Sequence, residues 1–242
     1  MCKSPSDTPY PGHMPRDTLR REQIVSAAID LLDAEGLEGL NMRALGDRLG
    51  SAATAVYWHV GSKDNLIALA VDQAWHEIAL PDPAAAGWRA AATAMATGLH
   101  AMLARHPWLV QAFGTQVLYG PGKARHDDHL LAIYEAAGFA SAEADQAAAA
   151  VFTFVLGNAL GLAATASLTR KLSRDGGNAD ELMRDSLAEA SEIAARFPRL
   201  RARVGTAGAD YGAAPEAGFE FGLQVMLDGL EAQLTADRTP AG

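Results

Sequence analysis

The chain of 242 residues is 49% apolar and 20% charged, the balance of an ordinary globular protein and too apolar for a disordered one. That length suits one or two domains of roughly 100–200 residues each. Its formal net charge of −9 argues against indiscriminate adhesion to nucleic acid or anionic membrane, although local rather than total charge governs specific DNA binding. The single cysteine, Cys2, excludes a disulfide scaffold and a cysteine-based zinc site, and fits a cytoplasmic location.

In chain order, residues 1–15 are rich in Pro, Ser, Asp and Gly and predict a disordered tail without the apolar run of a secretory leader. Asp17 or Thr18 is placed to cap a first helix carrying Ile24, Ala27, Ala28, Leu31 and Leu32 at helical spacing and ended by Gly36. Asn41 caps a short second helix with Ala44, Leu45 and Leu49, stopped by Gly50. A third covers about residues 53–59. After Gly61, Ser62 caps a fourth over about 63–78.

The segment 81–87 is a Pro- and Ala-rich break and the best domain boundary. Helical patterns follow over about 88–106, from Trp108 onward, and over 127–137. A long helix spans 142–171 and further helices span 180–196 and 216–234, with loops at 120–122, 173–178 and 204–215. No strand pattern and no internal repeat is visible. The expected fold is all-α. It comprises an N-terminal helix-turn-helix domain with its connecting fourth helix (16–79), a larger helical domain (80–236) and a short tail (237–242).

One stretch, 146–169, is uncharged and long enough to span a bilayer. Its apolar residues are mostly Ala and Gly, with Gln146, Thr153, Asn158, Thr165, Ser167 and Thr169 among them. That composition predicts a helix buried in a soluble protein, and no membrane partner is expected.

The most informative segment is NMRALGDRLGSAATAVYWHVGSK, residues 41–63. Two short helices about a Gly-containing turn suggest a helix-turn-helix, with Ala44, Leu45, Leu49 and Val56 where the helices cross. The second helix would enter a major groove and present Ala53, Thr54, Tyr57, Trp58 and His59. Three large amphipathic residues in a row, Tyr57-Trp58-His59, cannot all face a core. Their edges and polar tips suit phosphates, sugars and thymine methyls. From the residues alone, a short core helix with one exposed aromatic stays open as the alternative.

REQIVSAAIDLLDAEG (21–36), MRALGDRLG (42–50) and VYWHVGSKDNLIALA (56–70) resemble the tetracycline-repressor (TetR) family of one-component regulators. ARHPWL, LLAIYEAAGF, FVLGNALG and FEFGLQVMLDGLEAQL are similar to its tetracycline-repressor subgroup, so the resemblance runs from about Arg16 to Leu234. It implies a homodimer that binds palindromic double-stranded operator DNA and answers to a small-molecule effector. It further implies that Arg43 approaches a base or phosphate, that Ala53, Thr54 and Tyr57 face the groove, that Trp58 and His59 touch backbone, and that Lys63 holds a phosphate. Ser51, Ala52 and Ala53 depart from the family pattern, which thins direct base readout.

By the same resemblance, the subgroup's magnesium-ligand positions fall on Ala112 and Gly161, which cannot bind metal, and its drug contacts fall on Ala94, Gly98 and Leu130. Thr115 is the one polar match. No metal or cofactor is therefore expected, and the effector is expected to be mostly apolar or aromatic. Trp75, Met95, Leu99, Met102, Phe113, Thr115, Tyr134 and Phe152 are the candidate contacts, with ordinary core packing as the alternative for each. His126 and His129, one helical turn apart, would need His100 or His106 to make a metal site, and their neighbouring charges predict a solvated helix start. GxSxG, GxGxxG and GxxxxGK motifs are absent, so an enzyme is not expected. A helical adaptor would leave Tyr57-Trp58-His59 beside Arg43 and Lys63 unexplained. The long helix and the last helix, through Gly157, Gly161, Phe219, Leu223, Met226 and Leu230, are expected to form the dimer interface.

Overall fold

The computed structural model describes residues 19–115, 117–174, 179–203 and 215–237. The expected tail, the Asp17 and Thr18 caps, the segment 204–214 and most of the 173–178 loop lie outside them. The described residues are all-α. Helices α1 (Arg21–Gly39), α2 (Met42–Arg48), α3 (Ala53–Val60) and α4 (Lys63–Trp75) form the N-terminal group. They are followed by α5 (Pro83–Ala86), α6 (Trp88–Arg105), α7 (Trp108–Thr115), α8 (Pro121–Ala137), α9 (Ser141–Arg174), α10 (Ala179–Ala194), α11 (Pro198–Arg201) and α12 (Pro215–Asp237).

The helix ends follow local chemistry. Arg20 is the N-cap of α1, and its amide donates to Gln23 Oε1 at 2.8 Å. Gly36, at φ +73°, interrupts α1 where the break was expected, and one more turn carries the chain to Gly39. Asn41 Oδ1 accepts from the Ala44 amide and Ser62 Oγ from the Asn65 amide, as N-cap residues do. The expected break at 81–87 contains a short helix because Asp82 caps it and Pro83 takes its first position. Pro121 likewise starts α8 six residues earlier than expected. The fourth helix ends at Trp75, three residues sooner than its pattern suggested.

α9 is the central column of the C-terminal half and packs against α6, α7, α8 and α12. Its buried stripe is Ala144, Ala147, Val151, Val155, Ala159 and Ala163. That stripe is fully covered and Ala148, Phe152, Phe154 and Leu156 are partly so. Gly157, Leu160, Gly161 and Leu168 are exposed, so the helix expected to be buried is half-covered within one chain. α12 lies on α9 and α6. Arg89 ties α6 to α12 through Asp228, Glu231 and Gln224. The inward face of α12 is Phe219, Leu223 and Leu227, with Phe219 stacked 4.1 Å from His100. Phe219 and Leu223, expected at a dimer interface, are thus used inside the chain. Phe221 (73% exposed) and Val225 face outward instead, on the opposite side of the helix.

Candidate functional site

α2 and α3 pack across a tight corner. Leu45 and Val56 are fully buried there, with Ala44 and Leu49 partly so. Gly46 makes the corner possible. A Cβ on it would sit 2.6 Å from the Ser51 carbonyl oxygen, which no side chain tolerates, and the Ser51 amide donates to the Gly46 carbonyl at 2.9 Å. The glycine expected in the turn is Gly50, whereas the sterically required Gly46 lies inside α2.

α3 turns Val56 and Val60 inward and leaves Thr54, Tyr57 and Trp58 outside. Trp58 is 83% exposed and its ring meets His59 edge-on at 4.8 Å. So large an exposed indole carries no packing role in the isolated chain, and it stands on the same surface as Thr54 and Tyr57. Ala53 is half-buried at the start of α3, and Ala52 offers no side-chain cap. Arg43 is exposed on α2. Lys63 is half-buried, and its ammonium donates to the Leu37 carbonyl at 3.0 Å, fastening the start of α4 to the end of α1. Two of its three donors remain for another acceptor.

A cavity of about 320 Å³ lies between α6, α8 and α9. Its apolar wall includes Met95, Leu99, Leu130, Val151 and Phe152. Of the expected contacts, Met95, Leu99 and Phe152 line it directly. Trp75 and Phe113 back it, with Trp75 4.8 Å from the His126 ring and 6.2 Å from Phe113, and Phe113 6.5 Å from Phe152. Met102 and Tyr134 are fully buried away from it. Tyr134 packs on Phe139 and Trp88 instead, and burial pushes its hydroxyl up to about 12. Thr115 is exposed and its hydroxyl bonds back to its own helix. Leu130 lines the cavity, whereas Gly98 lies against Ile78 and Ala94 sits by Trp88 and Gln224.

The other end of the cavity is polar, unlike the mostly apolar lining expected from the sequence. Lys123, His126, Asp127 and Asp145 line it. The Lys123 ammonium lies 2.6 Å from both Asp127 oxygens and 5.0, 5.1 and 5.8 Å from the ring centres of Trp75, Phe152 and Tyr119. Burial drives the Asp127 carboxyl upward, but hydrogen bonds from His126 and Lys123 and the positive charge of Lys123 hold it below the usual carboxylate range. His126 is 3% exposed and not at a solvated helix start, because α8 begins at Pro121 and turns this position inward. The four histidines considered for a metal stand apart. His100 meets Phe219, His126 meets Trp75 and Asp127, His129 bonds to the Pro81 carbonyl at 2.8 Å, and His106 joins Asp33 and Glu77.

Two devices connect the cavity to the N-terminal helices. The Asp72 carboxylate of α4 accepts from the Gly122 amide at the start of α8 at 2.7 Å, which suits an anion at a helix N-terminus. A Cβ on Gly122 would lie 2.5 Å from the Asp72 carbonyl oxygen, so only glycine allows this approach of α8 to α4. Farther along, the His106 imidazole is held between Asp33 of α1, at 2.7 Å from Nδ1, and Glu77 just past α4, at 3.0 Å from Nε2, and Trp108 Nε1 also donates to Asp33 at 2.7 Å. With a carboxylate on each ring nitrogen, the charged imidazolium is the form that makes both bonds.

An α2–α3 corner with an exposed α3 face, joined through α4 to a cavity-bearing helical domain, is the architecture of a one-component DNA-binding regulator. Comparison with known proteins agrees. Residues 24–70 match the family described as bacterial regulatory proteins, tetR family, and residues 80–234 match the tetracyclin repressor-like C-terminal domain. An HTH-type transcriptional regulator of Saccharopolyspora erythraea is 34% identical over 88% of this chain and 85% of its own length. The HTH-type transcriptional repressor DrrR1 of Streptomyces coeruleorubidus is 32% identical over 94% and 83% respectively. Among solved structures, the TetR-family protein ActR of Streptomyces coelicolor in complex with actinorhodin superposes with a TM-score of 0.70 at 27% identity, covering 90% of this chain and 97% of that one. The chain belongs to the tetracycline-repressor family of transcriptional regulators and is not an enzyme.

Proposed function

We propose that this protein is a cytoplasmic repressor that binds a palindromic operator as a homodimer and leaves it when a small, mostly apolar or aromatic effector other than magnesium-tetracycline enters the α6–α8–α9 cavity. The observation that carries this reading is the path between the two sites. α8 supplies the cavity's polar end, its first turn is bonded to Asp72 of α4, and α4 starts at Lys63 beside α3. A change in how α8 sits on an effector is therefore transmitted to the seating of α4, and through it to α3.

Arg43, Ala53, Thr54, Tyr57, Trp58, His59 and Lys63 form the DNA-facing set, with Thr54 and Tyr57 toward bases and Arg43, Trp58, His59 and Lys63 toward backbone. Dimerisation uses the outward face of α12, Phe221 and Val225, with Gly157, Leu160, Gly161 and Leu168 of α9. These side chains are exposed in one chain, and neither glycine has a neighbour within 4 Å of its Cβ position. A helix long and apolar enough to cross a membrane is then accounted for by a partner's coverage of its bare side. The bound actinorhodin of ActR supports an organic effector for this family member as well.

The test is a gel shift with DNA from upstream of the protein's own gene, repeated with increasing concentrations of small aromatic compounds. A specific complex dissolved by at least one compound is expected. A chain that shifts no such DNA better than random sequence contradicts the reading.

A further inference from the structure

The polar end of the cavity is built from groups that attract positive charge. Asp127 and Asp145 face it, with Asp145 exposed at the mouth, and Trp75, Phe152 and Tyr119 surround one point with their rings. Ring π-clouds and carboxylates together make a cation cage. His126 adds to it. Its Nδ1 lies 3.3 Å from Asp127 Oδ1, so the neutral ring places its proton there, and Nε2 is left as a lone-pair acceptor. That Nε2 is buried without any hydrogen-bond partner, on a residue 3% exposed that lines the cavity. An unmet buried acceptor costs free energy until a donor reaches it. The one positive charge among these groups is Lys123, on a flexible stem whose side chain is 18% exposed.

We propose, on the basis of the effector-cavity reading above, that this end of the cavity is an ammonium site that Lys123 occupies as a tethered stand-in, and that the effector is an aromatic or apolar body carrying an amine. The ligand's ammonium replaces that of Lys123 between Asp127 and the three rings, shifted toward His126 so that it also donates to Nε2, which the tethered Lys123 ammonium leaves unmet. Lys123 swings toward solvent. The exchange is neutral in charge, so the part-buried carboxylate of Asp127 is never left bare, whereas an anionic ligand would meet two carboxylates and an acceptor nitrogen. The apolar wall of Met95, Leu99, Leu130 and Phe152 takes the ring system.

The experiment is calorimetric titration of the full chain with three probes on one ring: 1-naphthylmethylamine, 1-naphthalenemethanol and 1-naphthylacetate. In the unaltered protein the amine is expected to bind about tenfold or more tighter than the alcohol, with the acetate weakest. Lys123→Met removes the tethered competitor and should tighten the amine by about tenfold while leaving the alcohol nearly unchanged. Asp127→Asn should weaken the amine selectively. Circular dichroism confirms that each variant folds, and the three-probe series on the unaltered chain decides the matter if one does not. Acetate binding best, or Lys123→Met weakening the amine, overturns the proposal, as does binding of none of the three. Alcohol binding as tightly as amine, with either one dissolving the operator complex, removes the ammonium site and leaves the effector cavity standing. Tight, charge-selective amine binding that never affects the operator complex keeps the ammonium site and removes the regulatory reading.

Discussion

Lys63 shows how one side chain serves two roles. Its ammonium donates to the Leu37 carbonyl while α4 begins beside the recognition helix. Lys63→Ala is expected to weaken every operator sequence alike and to flatten the salt dependence by about one unit, the signature of a lost phosphate contact. Thr54 substitutions should instead change the preferred sequence. Equal losses at all operator variants for both residues in a binding assay would refute that division of roles. His106 gives a pH prediction. Burial pulls its pKa down, but the hydrogen bonds and charges of Asp33 and then Glu77 outweigh this and hold it above the ordinary imidazole value of 6.5. A raised folded-state pKa stabilises fully below pH 6.5 and loses that contribution as pH rises through the raised value. Urea midpoints should therefore fall as pH rises above 6.5 in the wild type and show less of that fall in His106→Ala. That variant should itself lose about 1–3 kcal/mol at pH 6, because Asp33 and Glu77, each part-exposed and still holding Trp108 and Arg105 respectively, lose a charged hydrogen-bond donor.

At the scale of elements, α12 offers opposite faces with opposite expected behaviour. Leu223 is buried against its own chain, so Leu223→Ala should cost about 2–5 kcal/mol in urea unfolding. Phe221 is exposed, so Phe221→Glu should leave the fold intact and yield a monomer by light scattering at micromolar concentration. A wild-type monomer would rule out the interface altogether. The α4–α8 junction is a second element-level test. Gly122→Ala drives a methyl against the Asp72 carbonyl oxygen, which α8 relieves only by moving off α4. Operator affinity without effector should change more than the melting temperature does.

For the whole molecule, DNA release requires that the effector prefer one arrangement of α4 over another, and the shift is bounded by that preference, typically about 1–3 kcal/mol of coupling. Magnesium should play no part. Ala112 is buried on α7 and Gly161 stands open on α9, and neither carries a ligating atom. Tetracycline titrations with and without magnesium should coincide. Tight binding that depends on magnesium would show that another part of the chain supplies the metal site.

Much of the architecture was readable from the residues because it is set over three or four positions. Asn41 and Ser62 cap with their own side chains, Gly36 kinks α1 one turn before its end, and the spacing of Leu45, Leu49 and Val56 marks the corner. The α3 surface was legible for the same reason, since Tyr57-Trp58-His59 cannot all point inward on any helix. What depended on partners far along the chain was not readable. Apolar residues surround α12, and only its packing on α6 and α9 decided that Phe219 and Leu223 face inward and Phe221 outward. His106 reaches Asp33 across 73 positions, and Lys123 meets Trp75 and Phe152 only because α4, α8 and α9 converge. Periodicity states that a helix has an apolar side. Which side is covered, and which charges end up beneath it, is settled by long-range packing, and in this protein that packing sets the polar end of the cavity.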